Sequence, residues 1–434
     1  MPETPRSYPA QLEIKPLTKP PHATVRVPGS KSITNRAMVL AALGAAKACT
    51  LHNWLDSEDT QVMRQCLEKL GFRIERRESE GSIRVCPNSA DRVIPADNAD
   101  LFVGNSGTTL RFLTAMLALG RGRYRLDGVP RMRERPIQDL LDALNQLGVQ
   151  ASSEKHNGCP PVIVEANGLP GGRVKIKGDV SSQFLSGLLM AAPFADAETC
   201  IEMDGPLVSV PYVDMTLAML RQFGLTVENE AHRTYRIPGR QLTSRNAYAI
   251  EPDASAASYF FGAAAITGGD VTVLGLPRES LQGDVGFIDV LARMGCRVER
   301  NDDRITVVGG ALAGMDVDMN AISDTVMTLA AVACFANAPT TIRNVAHIRH
   351  KETDRLAALA TELRRIGAAV DERVDGLTIH PAPLRGALIH TYNDHRMAMS
   401  LALVGLKISG MTIDQPACVA KTYPAFFEDL ERLR

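Results

Sequence analysis

Five stretches of this chain are variants of one phrase: LEKLGFRI (67–74), LNQLGVQA (144–151), LRQFGLTV (220–227), LARMGCRV (291–298) and LRRIGAAV (363–370). Each reads as the end of a helix, a glycine that stops it, and the start of a strand. Gly71, Gly148, Gly224, Gly295 and Gly367 lie 77, 76, 71 and 72 residues apart. A period of this size marks a repeated supersecondary unit.

A second phrase keeps nearly the same period. It opens on Ser, Asn or Asp and runs on as a small-residue apolar helix. The copies are SKSITNRAMVLAAL (30–43), NSGTTLRFLTAML (105–117), SSQFLSGLLMAA (181–192), DASAASYFFGAAA (253–265), DTVMTLAAVACFA (324–336) and DHRMAMSLALVGL (394–406). The polar openings suit N-caps. The bodies are apolar on nearly every side, which predicts burial. The LxxLG helices carry more charge and are expected outside. Segments such as RITVVGG and GLTIHPA read as strands between them. Six α/β modules therefore fill the chain. They suit two domains of three modules, with a break near Asn246–Asp253, or three domains of two.

Composition narrows the function. The chain has 434 residues, 45% of them hydrophobic, enough for a large core. With 48 basic and 49 acidic residues it lacks the positive balance of a general nucleic-acid binder. Aromatic residues are 5%, too few for single-strand stacking platforms. Eight cysteines without a CxxC pair read as reduced core thiols of a cytoplasmic protein. No apolar run reaches a membrane span, and the first residues lack a secretory signal. Prolines 2, 5, 9, 16, 20 and 21 favour an extended first segment.

Polar residues collect at the helix starts. Those of the buried helices hold Lys31, Ser32, Arg36, Asn105, Arg111, Ser181, Ser182, Gln183, Asp253, Asp324, Asp394, His395 and Arg396. The loops before the outer helices hold Arg131, Arg133, Arg135, Ser209, Tyr212, Lys351, Glu352, Asp354 and Arg355. Helix N-termini favour phosphate and carboxylate, and the many cations point to substrates with several negative charges. Asp324, Glu352 and His395 are candidates for proton transfer. Singly, each motif also has a structural reading. PGSKSITNR lacks the P-loop pattern and could be a capped helix start. RMRERP could be a solvated charge run, and HKETDR an exposed ion-pair cluster. YNDHRMAM is harder to read so, because it sets three ionisable groups beside a buried helix. No metal-ligand spacing is present.

Together, PGSKSITNRA, GNSGTTLR, RERP, DVSSQF, VPYVD, DASAASYF, KETDR, YNDHRMAM and AKTYP, in this order, closely resemble the 5-enolpyruvylshikimate-3-phosphate synthase family of enolpyruvyltransferases. The resemblance runs from about Pro28 to Phe427. It implies an α/β fold of two globular domains, each of three βαβαββ repeats with buried helices, an inside-out α/β barrel. It implies a discontinuous domain of residues 1–28 plus 251–434, a second of 29–250, and an active site in the cleft between them. The implied reaction moves the enolpyruvyl group of phosphoenolpyruvate to the 5-hydroxyl of shikimate 3-phosphate, without cofactor or metal, in aromatic amino-acid biosynthesis.

Carried over by motif, Lys31, Ser32, Arg36, Ser181, Ser182, Gln183, Ser209, Tyr212, Asp324, His347 and Lys351 should meet shikimate 3-phosphate. Lys31, Asn105, Gly107, Arg135, Gln183, Arg355, Arg396 and Lys421 should meet phosphoenolpyruvate. Asp324, Glu352, Lys31 and His395 are the implied catalytic residues, Asp324 as base at the 5-hydroxyl and Glu352 at C3. The resemblance implies small-molecule partners only, with no nucleic acid or membrane, and we expect a monomer. Five positions depart from familiar members. Thr109-Leu110 stands for Ala-Met, Phe112 for Pro, His347 for Asn and Val210 for Lys. The Phe112 helix frames the implied phosphoenolpyruvate pocket, so altered sensitivity to the family inhibitor glyphosate is expected. Two rivals remain: an enolpyruvyltransferase acting on UDP-N-acetylglucosamine, and a non-catalytic repeat scaffold. The first uses a Cys before a similar Arg-Pro, where this chain reads GVPRMRERP.

Overall fold

All five repeated glycines sit in the left-handed region, with φ between 81° and 110°. Glycine adopts that conformation without a Cβ penalty. Each closes its helix in a Schellman turn: Phe72, Val149, Leu225, Cys296 and Ala368 donate back to the carbonyls of Leu67, Leu144, Leu220, Leu291 and Leu363. A strand follows within two or three residues of Gly71, Gly148, Gly295 and Gly367; after Gly224 it begins only at Glu228, beyond the LTV of the phrase. The computed structural model describes residues 8–44, 47–86, 92–243 and 245–434. Pro2 and Pro5 lie outside the described residues. From Tyr8 onward the first segment holds strands at Gln11–Ile14 and His22–Val25 joined by irregular chain, with no helix among the described residues.

The chain divides into two compact units, Met1–Pro28 with Glu251–Arg434, and Gly29–Ile250. The continuous unit holds α1 (Lys31–Leu43), α2 (Glu58–Lys69), α3 (Gly107–Leu117), α4 (Gln138–Gln146), α5 (Ser182–Ala191) and α6 (Val210–Gln222). The discontinuous unit holds α7 (Ala254–Thr267), α8 (Phe287–Arg293), α9 (Val326–Ala333), α10 (Arg355–Arg365), α11 (His395–Gly405) and α12 (Phe426–Glu431). The odd-numbered helices are the small-residue apolar ones, buried along most of their length. In the discontinuous unit α7, α9 and α11 pack on one another; in the continuous unit α3 packs on both α1 and α5. Removing these apolar surfaces from water is the main stabilising term of each unit. The even-numbered helices through α10 end in the repeated phrase and cover the outside.

Among the described residues six sheets surround the helices, three per unit, five of four strands and one of three. Each joins one parallel pair to antiparallel strands or, in the last, to one antiparallel strand. Gly172–Lys177 runs parallel to Thr199–Asp204, which pairs antiparallel with Thr234–Ile237. Asp316–Asp318, Thr340–Arg343 and Gly376–His380 repeat that order. The continuous unit closes its first sheet with its own last strand, Ala247–Ala249 beside Cys49–His52. The discontinuous unit borrows His22–Val25 and Gln11–Ile14 for two of its sheets.

Four of the six expected caps hold, and two do not. The side chains of Ser30, Ser106, Ser181, Asp253 and Asp394 accept backbone N–H groups at the starts of α1, α3, α5, α7 and α11. Ser106 rather than Asn105 caps α3. Asp324 does not cap α9, which is preceded by a kinked 3₁₀ turn, Asn320–Thr325. Its carboxylate is drawn instead to two arginines. All eight cysteines are free thiols; Cys86, Cys159 and Cys418 are only half-buried, so "core thiol" describes the other five. Among the described residues no helix is long and apolar enough to cross a membrane.

Candidate active site

In the discontinuous unit, Arg355 opens α10 and is 1% exposed. Burying a guanidinium costs several kcal/mol unless carboxylates surround it. Three do. Its Nε donates to Asp394 at 2.8 Å, Nη2 to Glu352 at 2.8 Å and Nη1 to Asp324 at 3.3 Å. Burial pulls the Arg355 guanidinium down, but Asp394, Glu352 and Asp324 outweigh it and raise it above the ordinary arginine range. Arg396, in the first turn of α11, donates to the second oxygen of Asp324 at 2.7 Å and to the Tyr259 hydroxyl at 3.2 Å. Burial, partly offset by the Arg396 charge, pushes the Tyr259 phenol up to about 12. Asp394 caps α11 through the Arg396 N–H at 2.9 Å and lies 3.5 Å from His395 Nδ1.

His347 is buried in the 3₁₀ turn Ala346–His350 before this cluster. Burial, then the Lys351 charge, lowers its imidazole to about 4, so it is neutral at physiological pH. Lys421 ends the turn Pro416–Lys421, which packs on α11, and is buried. Arg355, Glu352, Asp324 and Arg396 thus share one hydrogen-bonded group, with His347 and Lys351 electrostatically coupled to it.

In the continuous unit, Lys31 and Arg36 share the first two turns of α1. Lys31 Nζ lies 3.3 Å from Asp59 on α2. The buried Arg36 side chain donates to Thr216 at 2.8 Å, Ser186 at 3.4 Å, the Tyr212 carbonyl at 3.1 Å and the Ser32 carbonyl at 3.0 Å. These bonds tie α1 to α5 and α6. The Arg36 guanidinium also lies 5.0 Å from the centre of the Phe112 ring. Burial lowers Arg36 to about 10, with Tyr212 opposing, and it stays charged at neutral pH. Arg135 donates to the Asn105 carbonyl at 3.0 Å and its side-chain oxygen at 3.3 Å. Gly107 begins α3 beside it, where a Cβ would overlap the guanidinium groups of Arg111 and Arg135. Gln183 donates to Thr108 at 3.4 Å. Ser181 caps α5 beside Ser182, and Ser209 precedes α6 in the left-handed conformation, φ 53°.

Several candidates fall elsewhere. Arg131 pairs with the exposed Glu134 and the exposed Arg133 with the buried carboxylate of Asp127, so of the three arginines of RMRERP only Arg135 is buried. Asp354 caps α10 and binds Arg349, and Asp253 caps α7. Asp59, Thr216, Ser186 and Tyr259 belong to the clusters and were not anticipated. Asp59 had no motif to mark it; Tyr259 stood in DASAASYF but read as core. Asn35, one turn below Lys31, is fully buried, and neither side-chain polar atom has a hydrogen-bond partner among the described residues. Among them, no group of three His, Cys, Asp or Glu could hold a metal ion.

Comparison with known proteins gives one answer. The profile of the family described as EPSP synthase (3-phosphoshikimate 1-carboxyvinyltransferase) matches residues 17–430. The chain is 48% identical over 417 residues to the 3-phosphoshikimate 1-carboxyvinyltransferase of Nostoc punctiforme, covering 96% of this chain and 97% of that one. It is 48% identical over 427 residues to the enzyme of the same name from Shewanella loihica, covering 98% and 99%. Its structure resembles that of EPSP synthase from Acinetobacter baumannii, with TM-score 0.81, 27% identity and 98% of each chain covered. The enolpyruvyl transferase NikO from Streptomyces tendae, at 21% identity and TM-score 0.77, shares the fold. The chain belongs to the EPSP synthase family, the 3-phosphoshikimate 1-carboxyvinyltransferases.

Proposed function

We propose that this chain transfers the enolpyruvyl group of phosphoenolpyruvate to the 5-hydroxyl of shikimate 3-phosphate, releasing phosphate, and that the two clusters above act in that one reaction. The observation that carries the residue roles is Arg355, buried among Asp324, Glu352 and Asp394 with Arg396 on the far oxygen of Asp324. Two fixed guanidinium forks beside a set of carboxylates suit a polyanionic substrate undergoing proton transfer.

The reaction is an addition followed by an elimination. C3 of phosphoenolpyruvate takes a proton and C2 becomes cationic. The 5-hydroxyl oxygen bonds to C2 and gives up its proton. The C2–O bond to phosphate then breaks while C3 loses a proton, restoring the double bond. Asp324 takes the hydroxyl proton. Its carboxylate is aimed by Arg355 and Arg396. Glu352 exchanges the proton at C3, with Lys31 supporting the negative charge of the departing phosphate and His395 packed against Asp394. Arg355, Arg396, Arg135, Lys421, Asn105 and the backbone at Gly107 hold phosphoenolpyruvate. Gln183 lies between the two substrates. Lys31, Ser32, Arg36, Ser181, Ser182, Ser209 and Tyr212 hold shikimate 3-phosphate, with His347 and Lys351. Fixed charges of this kind act without reorganising during the reaction.

Turnover in deuterium oxide tests the scheme. The methyl group of the intermediate would mix solvent deuterium into the product methylene. A product free of deuterium after full conversion would rule out protonation at C3.

A further inference from the structure

Glu362 lies two turns beyond Arg355 on α10 and is completely buried. A buried carboxylate is costly unless donors surround it. Its partners are specific. Arg365 Nε donates at 2.9 Å, the backbone N–H of His390 at 3.1 Å and the Tyr392 hydroxyl at 2.8 Å. His390 and Tyr392 belong to the connection leading into α11, so Glu362 grips that connection from α10.

The connection needs such a grip. Tyr392 and Asn393 are consecutive residues in the left-handed region, φ 55° and 53°. A Cβ makes that conformation unfavourable, more so for Tyr392 than for Asn393. The two left-handed residues reverse the chain so that the Asp394 N–H reaches the Thr391 carbonyl at 2.8 Å. Asp394 is thereby set to cap α11 and to accept from Arg355 Nε. Helix α10 thus holds the connection at two points, through Arg355 to Asp394 and through Glu362 to His390 and Tyr392.

Resting on the function proposed above, we infer that Glu362 and Tyr392 are positioning residues for phosphoenolpyruvate: they hold the strained 390–393 turn that aims Asp394, and through it Arg355 and Arg396. Neither needs to touch the substrate. Burial, then the Glu362 carboxylate, pushes the Tyr392 phenol up to about 12, which keeps it a donor at any working pH.

Glu362→Gln keeps the shape but replaces one acceptor oxygen with a donor, against the Tyr392 hydroxyl or the His390 N–H. Tyr392→Phe removes one bond from a partly exposed side chain and leaves the core intact. Both variants should raise the KM for phosphoenolpyruvate about 5–50-fold, the scale expected when reacting groups are misplaced by a fraction of an ångström. The dissociation constant for shikimate 3-phosphate, measured by calorimetry, should stay within twofold. Amide hydrogen exchange in the peptide spanning 389–400 should accelerate at least fivefold in both. Unchanged exchange in that peptide would overturn the anchoring. A KM within twofold of wild type, or a parallel loss of shikimate 3-phosphate binding, would overturn the positioning role. A wild-type enzyme without turnover would instead refute the function on which the inference rests, and the exchange measurement would still decide the anchoring.

Discussion

His347 stands where familiar members of the family carry Asn, and its burial gives it a measurable signature. Burial and the neighbouring Lys351, Arg355 and His350 charges lower its pKa from the ordinary 6.5 to about 4, with Asp324 opposing. The imidazole is therefore bound neutral in the folded protein. Above pH 6.5 it is neutral in both folded and unfolded chains and does not alter stability. As pH falls below 6.5 the unfolded chain takes up a proton that the folded one resists. Stability is then lost progressively until pH reaches about 4. At pH 4.5 that loss is about 2–3 kcal/mol, from the linkage of the two pKa values. Asn does not titrate, so His347→Asn should lack this component. The assay is urea denaturation of both proteins at pH 7.5 and 4.5, with the difference of differences isolating His347 from other titrating groups. The wild type should lose about 2–3 kcal/mol more than the variant. Equal losses within about 0.5 kcal/mol, well inside one pKa step, would show that the imidazole is not held neutral.

Four further outcomes follow from the site. Glu352→Gln removes the carboxylate that would exchange the C3 proton and should cut turnover by about 10²–10⁴-fold, the usual range for a general acid–base group; a loss under tenfold in steady-state kinetics would remove it from that role. Arg355→Lys cannot keep the three-way contact to Asp394, Glu352 and Asp324, and kcat/KM for phosphoenolpyruvate should fall by about 10²-fold or more, because a lysine lacks the planar fork; a fall under fivefold would contradict this. Gly107→Ala would drive a Cβ into Arg111 and Arg135; the KM for phosphoenolpyruvate should rise about tenfold, the cost of displacing a charge-assisted contact, while shikimate 3-phosphate affinity stays near wild type. Phe112→Leu removes the ring beneath Arg36 and should weaken shikimate 3-phosphate binding by about 2–30-fold, the range of a cation–π contact; glyphosate inhibition measured on the same pair tells whether this departure also alters the inhibitor's fit.

The repeat was legible because its punctuation is local chemistry. A glycine that must be left-handed, and a Ser or Asp that must cap, reveal themselves without the rest of the fold. Gly71 and its four counterparts behave as their phrase predicts, and so do Ser30, Ser181, Asp253 and Asp394. Asp324 looks like the same cap but serves differently. Only the folded unit shows Arg355 and Arg396 converging on it, and the turn before α9 kinks accordingly. The three arginines of RMRERP are alike in sequence. The 3₁₀ turn Pro130–Glu134 directs Arg131 to Glu134 and Arg133 to Asp127, and leaves Arg135 buried. Asp59 and Glu362 were not legible at all. Each is a carboxylate on a charged outer helix, and only the element packed against it makes it part of the site.

Phosphate release from phosphoenolpyruvate, with shikimate 3-phosphate in one reaction and a UDP-amino sugar in another, decides which acceptor the enzyme uses. Release with shikimate 3-phosphate alone is predicted. Release with the UDP-amino sugar, or with neither acceptor, would contradict the account.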